Sequence, residues 1–431
     1  MKRFVLAALL LSGFSRAEAQ VLTLEQAINI ALERSLDIRI ARNTLEGTII
    51  SNHISVAGGL PEVTGSLNNN QSLTNLRQEL SNGTVTKRRG NQNNSLNGSI
   101  SGTYVLFNGF RVIAARGRLE ALEKQSEHLV NVEVQTVMAN VMAKYYEIVR
   151  QQGYLQTLRQ SIDVTLQRLN LVQARQSVGL ANNADTYQAQ LDLNATRQDF
   201  SSQELVLNQS KSDLLTLLTL RPDSAIEIRD TIIIDTAMNL ANVTAKLPLN
   251  PELLSADEQV RVFEFLAREV NALRYPSVAL NGGYNVSQSR STAGFTLLNQ
   301  NTGPFLGLNL QVPIFNGGFN KRQLRVAEID TKNARITRES LYNNLQGMVV
   351  RAWQAYQNNL SRLQQEKANN KTAADLLSLV QKRFELGVGT VVDVREAQRT
   401  FVEAGFRLVE LSYNAKLAEI ELKRYAGELV F

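Results

Sequence analysis

The chain has 431 residues, of which 43% are apolar and 6% aromatic, with 7 prolines and no cysteine. This length allows two or three ordinary domains or one elongated body, and the scarcity of aromatic residues and proline favours long helices over a compact α/β enzyme. The formal net charge of +6 is too small a surplus to predict a nucleic-acid partner. Without cysteine the chain forms no disulfide framework, and we expect no lipid anchor on an N-terminal cysteine.

Residues 1–19 have the pattern of a secretory signal peptide. A basic start at Lys2 and Arg3 precedes a short apolar run, and small residues up to Ala19 supply a cleavage site. An uncleaved membrane anchor is the alternative, but the run is shorter than a membrane helix needs. We therefore predict export, with a mature chain that begins near Gln20. The later sequence has no run of about 18 apolar residues, so any part that crosses a membrane must be built from strands.

A Phe-Asn-Gly phrase occurs twice, in "VLFNGF" and in "VPIFNGGF". Phe107 and Phe315 are 315 − 107 = 208 positions apart, and the same shift places "RQSVGLANNADTYQAQ" on "RFELGVGTVVDVREAQ". A shift of 276 − 61 = 215 aligns Pro61 with Pro276, which indicates a longer loop in the first copy. Several motifs in one order predict an internal duplication. The expected segments are a first repeat at 20–220, a link at 221–250 and a second repeat at 251–431.

Alternating side chains predict two strands in each copy, after an initial helix. Between Leu96 and Leu106 every second residue is apolar or glycine, and polar residues lie between them. This is the pattern of a strand with one apolar and one polar face. A polar segment joins the two strands of each pair and predicts a loop; in the first copy this segment is rich in Asn and Gln. The four strands are expected at about 60–72, 95–107, 276–287 and 304–315.

After each Phe-Asn-Gly phrase the pattern becomes helical. The first such run lasts from Ile113 to about Val178, roughly 100 Å at about 1.5 Å per residue, which is far too long for a globular domain. In the second copy a heptad pattern mixes small and large residues, which predicts a long helical hairpin with coiled-coil packing. A plain amphipathic helix is the alternative, but its 3.6-residue period would drift from this register. The heptad positions are Ala397, Phe401, Ala404, Leu408, Leu411, Ala415, Ala418, Leu422 and Tyr425.

The two Phe-Asn-Gly phrases therefore predict corners at which a strand ends and a long helix begins. Glycine supplies the backbone freedom for the corner, asparagine caps the incoming turn, and phenylalanine suits a membrane interface. The corner residues are Phe107, Asn108 and Gly109 in the first copy and Phe315, Asn316 and Gly317 in the second.

The number of strands limits the possible assemblies. Strands of about ten residues match the thickness of an outer membrane, but barrels need at least about eight strands, so one chain cannot seal its own edges in lipid. Two chains would give eight strands and a filled interior, whereas three would give twelve strands and room for a lumen. The long helices favour the larger, hollow assembly.

Three features carry a resemblance to a known family. They are "LTLEQAINIALERSLDIRIAR" at 22–42, where Thr23 and Gln26 are placed as a capping box, the two Phe-Asn-Gly corners, and the "VGL" and "LGVG" turns followed by Asp. With these the sequence resembles the TolC-like outer membrane efflux proteins over nearly all of the expected mature chain. The resemblance implies a mostly α protein with membrane β. It would be a homotrimer whose 12-strand outer-membrane β-barrel is continuous with a periplasmic α-helical coiled-coil tunnel.

The function that the resemblance implies is a passive exit duct in the outer membrane of a Gram-negative bacterium. Such a duct belongs to a tripartite efflux or type I secretion system. It would receive substrates from an inner-membrane pump of RND or ABC type and from a periplasmic adaptor (membrane fusion) protein. The sequence leaves the cargo open among drugs, metal ions and secreted polypeptides.

The glycine turns are the expected adaptor-docking tips. Glycine breaks two otherwise continuous helices at about 178–182 and 386–390, so tight turns are expected there on local grounds alone. The resemblance adds the docking role, and turns without that role are the alternative. The predicted docking residues are Val178, Gly179, Leu180, Leu386, Gly387 and Gly389.

The acidic residues after the second tip are the expected constriction. Asp393 and Glu396 lie three residues apart on a helix, hence on one face, and they match positions where the family often places two aspartates. Threefold repetition would place six carboxylates around one opening, a strong local field for cations; a solvated helix face is the alternative. Gly389 departs from the family, which often has a basic residue there to lock the closed state. The candidate network also includes Asp185, Arg383 and Arg395.

Catalysis has little support in the sequence. His53 and His128 are the only histidines and lack a metal-ligand spacing, and no phosphate loop, nucleophile elbow or zinc pattern occurs. We expect no enzyme activity and no cofactor. A secreted trimeric coiled-coil adhesin or scaffold is the second hypothesis, since it would explain heptads and export, but it does not need two dispersed strand pairs. An exported enzyme is the third.

Overall fold

The computed structural model describes residues 20–429, so the predicted signal peptide at 1–19 lies outside the described residues. The chain forms two compact units. The helical unit contains residues up to 42, 130–251 and 342 onward, and the sheet unit contains 43–129 and 252–341. The elements in chain order are β1 (Gln20–Val21), α1 (Leu24–Arg34), α2 (Leu36–Ser51), β2 (Glu62–Glu79), β3 (Val85–Phe107), α3 (Arg111–Ser177), α4 (Asn183–Leu217), β4 (Ile226–Glu227), α5 (Leu240–Lys246), a 3-10 turn (Leu247–Leu249), α6 (Pro251–Ala272), β5 (Ser277–Ser291), β6 (Leu298–Gln311), α7 (Phe319–Glu385) and α8 (Val391–Tyr425).

The long helices have matched lengths in the two halves of the chain. Helices α3 and α7 each contain 67 residues, and α4 and α8 each contain 35. Every one of their boundaries is related by the 208-residue shift that relates Phe107 to Phe315. Residues of the two hairpins can therefore be paired one to one.

The core of the helical unit joins α3 to the start of the chain. Thr23 begins α1 with the predicted capping box, in which Gln26 N donates to the Thr23 hydroxyl at 3.2 Å and Thr23 N donates to the Gln26 side chain at 3.1 Å. Tyr145 of α3 is fully buried, and its hydroxyl donates to Leu22 O at 3.1 Å and to Asp230. These bonds, with a parallel pair in which Gln20 lies opposite Ile226, tie the first residues to the link segment.

The heptad positions of α8 form its packed face. Ala397, Ala404, Leu411, Ala415, Ala418, Leu422 and Tyr425 are buried, and Phe401 and Leu408 are half-buried. Helices α3 and α8 approach closely where one of them has a glycine. A Cβ on Gly153 of α3 would lie only 2.8 Å from Val409, and a Cβ on Gly405 of α8 would lie only 2.7 Å from Thr157. The mixture of small and large residues thus lets two helices pack tightly, as the heptad pattern predicts.

The link at 221–250 is held to α8 by a buried carboxylate. Glu419 is 1% exposed and accepts hydrogen bonds from Asp235 N at 3.0 Å and from the ammonium groups of Lys416 and Lys423 at 2.9 Å each. A buried charge requires such partners, because leaving it unpaired is costly.

The sheet unit contains one antiparallel sheet with the strand order β2-β3-β5-β6. Strands β2 and β3 extend well beyond the expected 60–72 and 95–107, and their ladder continues to the pair Glu79 and Val85. The Asn- and Gln-rich segment that was expected to form a loop is therefore mostly strand, and only residues 80–84 form the turn. Apolar and polar residues no longer alternate in this segment. The hydrogen-bonded ladder between β2 and β3 nevertheless continues, because it is made by backbone groups.

The last strand ends earlier than expected. Strand β6 stops at Gln311 rather than near residue 315, and Phe315 lies four residues beyond it. The ladder ends at the pair of Ser277 and Gln311 because β5 begins at Ser277, and Pro313 beyond it has no N–H to donate. The second Phe-Asn-Gly phrase therefore follows a short extended segment, whereas in the first phrase Phe107 is itself the last residue of β3.

Both corners use left-handed backbone. Gly109 and Phe110 have φ of 68° and 66°, and Gly317 and Gly318 have φ of 66° and 76°. Phe110 thus adopts a left-handed conformation that is uncommon for residues with a side chain. Its repeat partner, Gly318, is a glycine. The Asn108 side chain accepts a hydrogen bond from Val112 N at 3.4 Å, as expected for a capping residue.

Candidate functional site

The two interhelical tips of the helical unit are built alike. Gly179 and Gly387 have φ of 80° and 81°, a backbone conformation that favours glycine. Leu180 N donates to Arg175 O at 2.8 Å, and Val388 N donates to Arg383 O at 3.0 Å. These bonds satisfy the last carbonyls of α3 and α7 in the manner of a Schellman motif.

Each tip continues into a capping box. At the first tip Asp185 N donates to the Asn182 side chain at 2.9 Å, and Asn182 N donates to the Asp185 carboxylate at 3.2 Å. At the second tip Asp393 N donates to the Thr390 hydroxyl at 3.1 Å, and Thr390 N donates to the Asp393 carboxylate at 3.0 Å. The backbone hydrogen bond from Thr390 is the main cause that lowers the pKa of Asp393 below 3.8. Asp393 of the predicted constriction and Asp185 of the candidate network therefore both also take part in a helix N-terminal cap.

The remaining constriction candidates divide into two groups. Glu396 is exposed and pairs with Arg399 along α8 at 2.7 Å. Arg395 instead reaches α4, where it pairs with Asp192 at 3.2 Å. The structure thus brings Arg395 into an interhelical ion pair and leaves Glu396 on the surface of α8.

Asp192 is a residue that the sequence reasoning missed. Its carboxylate also pairs at 2.6 Å with Arg168 of α3, whose side chain is almost fully buried. Burial lowers the pKa of Arg168, and two of its nitrogens, Nε and Nη1, have no hydrogen-bond partner among the described residues. The sequence around Asp192 does not indicate this role, because its partners Arg168 and Arg395 are 24 and 203 positions away.

A second missed contact joins the ends of α3 and α7. The Arg175 guanidinium donates to Phe384 O and lies 4.5 Å from the centre of the Phe384 ring. Phe384 is buried with Val172 and Val394. Arg175 therefore caps the C-terminus of a neighbouring helix, where a cation is favourable. Its partner in the repeat, Arg383, is exposed and makes no side-chain hydrogen bond to the described residues.

The predicted docking residues are solvent-facing. Val178 and Leu180 are 68% and 78% exposed, and Leu386 is 79% exposed. Val388, inside the predicted tip at 386–390, and Val392, two residues beyond it, are exposed beside them. Large apolar side chains on both tips are thus available to a partner.

Gly389 has a local reason for lacking a side chain. Its φ is not left-handed, but a Cβ there would lie 3.0 Å from Phe384 N and 3.2 Å from the Arg383 carbonyl carbon. Its own N–H donates to Arg383 O at 3.1 Å. A Cβ at residue 389 would therefore lie in tight contact with the backbone of this turn.

Two further properties concern the described residues as a whole. None of their helices has a stretch apolar enough, at sufficient length, to cross a membrane. Over the same part of the chain, acidic and histidine side chains nowhere gather into a group that could hold a metal ion.

Comparison with known proteins identifies the family. The sequence matches the profile of the family described as outer membrane efflux protein over residues 27–219 and 245–428. It is 25% identical over 422 residues to the pyoverdine export outer membrane protein OpmQ of Pseudomonas aeruginosa, which covers 94% of this chain and 85% of OpmQ. It is 24% identical over 443 residues to the outer membrane efflux protein BepC of Brucella suis biovar 1, with coverage of 99% and 91%.

Solved structures show the same fold. The outer membrane protein VceC from Vibrio cholerae aligns with a TM-score of 0.77 at 18% identity, over 94% of this chain and 96% of VceC. The resemblance inferred from the sequence is thereby confirmed, together with the predicted fold class. The chain belongs to the outer membrane efflux protein family, as an efflux protein of the outer membrane and not an enzyme.

Proposed function

We propose that three copies of this chain form a passive exit duct across the outer membrane. The sheet unit carries this proposal. Within the described residues, β2 pairs only with β3 and β6 pairs only with β5, so each of these strands has one edge without a strand partner. Backbone groups in lipid must be paired, and three copies would supply a closed ring of twelve strands with a lumen.

The side chains of β6 support insertion in lipid. Leu306, Leu308 and Leu310 lie on one face of the strand and are 79%, 68% and 61% exposed. Asn309 and Gln311 alternate with them on the other face. A strand with an apolar outer face and a polar inner face is the pattern of a transmembrane barrel around an aqueous lumen.

The tips are the proposed contact for a periplasmic adaptor protein. The exposed apolar residues Val178, Leu180, Leu386 and Val388 give both hairpins a similar surface, held by turns of the same geometry. The adaptor would connect the duct to an inner-membrane pump of RND or ABC type. The cysteine-free sequence supports a duct without an N-terminal lipid.

The proposed constriction consists of Asp393 and Glu396, repeated in three copies. Both carboxylates are exposed in the single chain, so a threefold assembly could display them toward one opening. Asp185, Arg383 and Arg395 are proposed to hold this region closed. The pair between Arg395 and Asp192 supports such a role, because it links the two hairpins.

The mass of the detergent-solubilised protein, corrected for bound detergent, tests the assembly. We expect the mass of three chains, and ion conduction by the same preparation in a planar bilayer. A monomer or dimer would refute the trimeric duct. A trimer that conducts no ions and needs no detergent would favour the secreted scaffold instead.

A further inference from the structure

One face of the four-stranded sheet carries exposed apolar residues on every strand. Leu67 of β2, Ile100 of β3, Tyr284 of β5 and Leu306 of β6 are all exposed. Directly paired residues share a face of a sheet, and so do residues two apart on one strand. Ile100 pairs with Tyr284, and Leu67 and Leu306 pair with residues two positions from these. The four side chains therefore lie on one face, which is the face that the proposed barrel turns to lipid.

Basic residues continue this face toward the turn at 80–84. Arg290 lies 290 − 284 = 6 positions beyond Tyr284 on β5, and Arg77 lies 77 − 67 = 10 positions beyond Leu67 on β2. Even separations keep a side chain on the same face of a strand. Lys87 of β3 pairs directly with Arg77, and all three basic residues are exposed.

A β-bulge decides which residues of β3 reach this face. Gly90 has φ of 66°, and at this point β3 has one residue more than β2 between two ladder pairs. The alternation of β3 is therefore reversed beyond the bulge, whereas β2 keeps its own. As a result Lys87 shares a face with Arg77, and Arg88 lies on the opposite face, where it pairs with Leu76.

The three basic side chains have no anionic partner among the described residues. None of them takes part in an ion pair or a side-chain hydrogen bond there. Between 62–107 and 277–311 the sequence contains only two acidic residues, of which Glu62 is at the other end of β2 and Glu79 follows the pair of Arg77 and Lys87. Like charges directly opposite each other destabilise a sheet. An anion outside the chain would remove this repulsion.

The basic residues lie at two depths of the proposed barrel. The ladder aligns Arg290 with Asn94 and Asn94 with Gln71, and Arg77 is 77 − 71 = 6 positions further along β2. With the tilt of barrel strands and the slant of the ladder, this separation is roughly 10–20 Å in depth. The headgroup layer on one side of a bilayer is only about 5–8 Å thick. Phosphates at a single depth would therefore not serve both levels.

We propose that Arg77, Lys87 and Arg290 bind the phosphate groups of lipopolysaccharide, a lipid whose saccharide headgroup carries phosphates at more than one depth. This inference rests on the proposed duct, which places the apolar face in lipid. Strand β3 enters α3 at the corner after Phe107, so the turn at 80–84 is at the end of the sheet away from that corner and faces the exterior in the duct. Guanidinium and ammonium groups form strong charge-assisted hydrogen bonds with phosphate.

Retention of purified lipopolysaccharide by the immobilised, detergent-solubilised full chain tests this site. We expect Arg77→Gln, Lys87→Gln and Arg290→Gln each to weaken retention about fivefold, the attraction typical of one basic residue at an anionic surface. Arg77→Lys keeps the charge and should retain most of the binding. The control Arg88→Gln removes the same charge from the opposite face of the same hairpin and should bind as the unchanged protein does. Lipopolysaccharide that has been enzymatically dephosphorylated should be retained less by the unchanged protein.

Three outcomes would overturn the site. Equal retention of the dephosphorylated lipid would show that phosphate is not what the protein recognises. A loss in Arg88→Gln as large as that in Lys87→Gln would show a general attraction to positive charge. A loss confined to Arg290→Gln would show contact at one depth only. Each of these results, obtained with a trimer that conducts ions, leaves the proposed duct in place, whereas a protein that is monomeric by mass would overturn the duct and the site together.

Discussion

At the scale of single residues, the aspartates at the tips combine two tasks. Asp185 and Asp393 each accept a hydrogen bond from the backbone at the start of a helix, which places a negative charge where the helix dipole favours it. In the proposed constriction the same charges would face ions in a narrow opening. Because one carboxylate serves both the local fold and the proposed constriction, experiments on charge must be separated from experiments on the cap.

The first prediction concerns ion selectivity. Replacing Asp393→Asn together with Glu396→Gln keeps the side-chain shapes but removes six charges from a trimer. We expect the variant to lose cation selectivity and block by trivalent cations applied from the periplasmic side, measured in planar bilayers. Thr390→Ala is the control, because it removes the cap and leaves both carboxylates. Unchanged selectivity and block in the double variant would place these residues on an outer helix face.

The second prediction concerns pH. The hydrogen bonds from Thr390 lower the pKa of Asp393 below 3.8, so the charge and the cap are both present at pH values above 3.8. Both are lost as the pH falls through the lowered pKa. Thr390→Ala keeps the backbone hydrogen bond, which is the main cause, and removes the contribution of the Thr390 side chain, so it should move the pKa of Asp393 part of the way back toward 3.8. Bilayer recordings at decreasing pH should therefore show that Thr390→Ala loses selectivity first. Loss at the same pH in both proteins would contradict the role of the cap.

At the scale of elements, each tip is a turn whose geometry glycine permits. Gly179 has no atom near the position of a Cβ, so the left-handed φ alone makes a side chain unfavourable there. Gly387 has the same φ, with Arg175 at 3.8 Å from that position. Equal geometry at two sites 208 positions apart shows that the local rule for ending a long helix was kept in both copies.

The third prediction tests docking at these turns. Gly387→Val forces a β-branched residue into left-handed backbone, at a cost on the order of 1–3 kcal/mol. We expect export to be abolished while the trimer still assembles in the membrane, measured by substrate efflux and by detergent-corrected mass. The control Gly347→Val lies within α7 at ordinary φ and should export normally. Normal export by the Gly387→Val variant would show that the tips only connect the helices and do not dock an adaptor.

At the scale of the whole molecule, the family fold assigns the sheet to the membrane and the proposed trimer closes it. The chain itself provides one sheet of four strands with two outer strands. In the proposed barrel the apolar face of β6 would meet lipid. The helical unit supplies the tips and the ion pairs around Asp192.

The fourth prediction tests the lipid-facing side of the strand. Leu308→Asp places a charge on the apolar face of β6. A lipid-exposed Arg or Lys costs about 2–4 kcal/mol at the bilayer midplane, and an Asp costs less. We expect a reduced amount of assembled trimer in the outer membrane. Asn309→Asp adds the same charge to the opposite face and should assemble normally. Equal assembly of both variants would show that Leu308 does not face lipid.

The sequence by itself determined the repeat, the helix lengths and the corners. These follow from local rules, because heptad spacing, glycine turns and capping residues act over a few positions. The first long helix, expected from Ile113 to about Val178, is α3 at Arg111–Ser177. It also determined the family, since several motifs occur in one order. Local patterns were less informative for β2, where polar residues occupy a ladder made by backbone groups.

Only the tertiary structure decided which distant side chains meet. Asp192 with Arg168 and Arg395, Arg175 with Phe384, and Glu419 with the link segment all join positions that no local pattern connects. These contacts depend on how long helices pack side by side, and a shift of one turn would pair different residues. The same packing places Arg175 on Phe384 and leaves its repeat partner Arg383 exposed, a difference that the repeat in the sequence alone could not reveal.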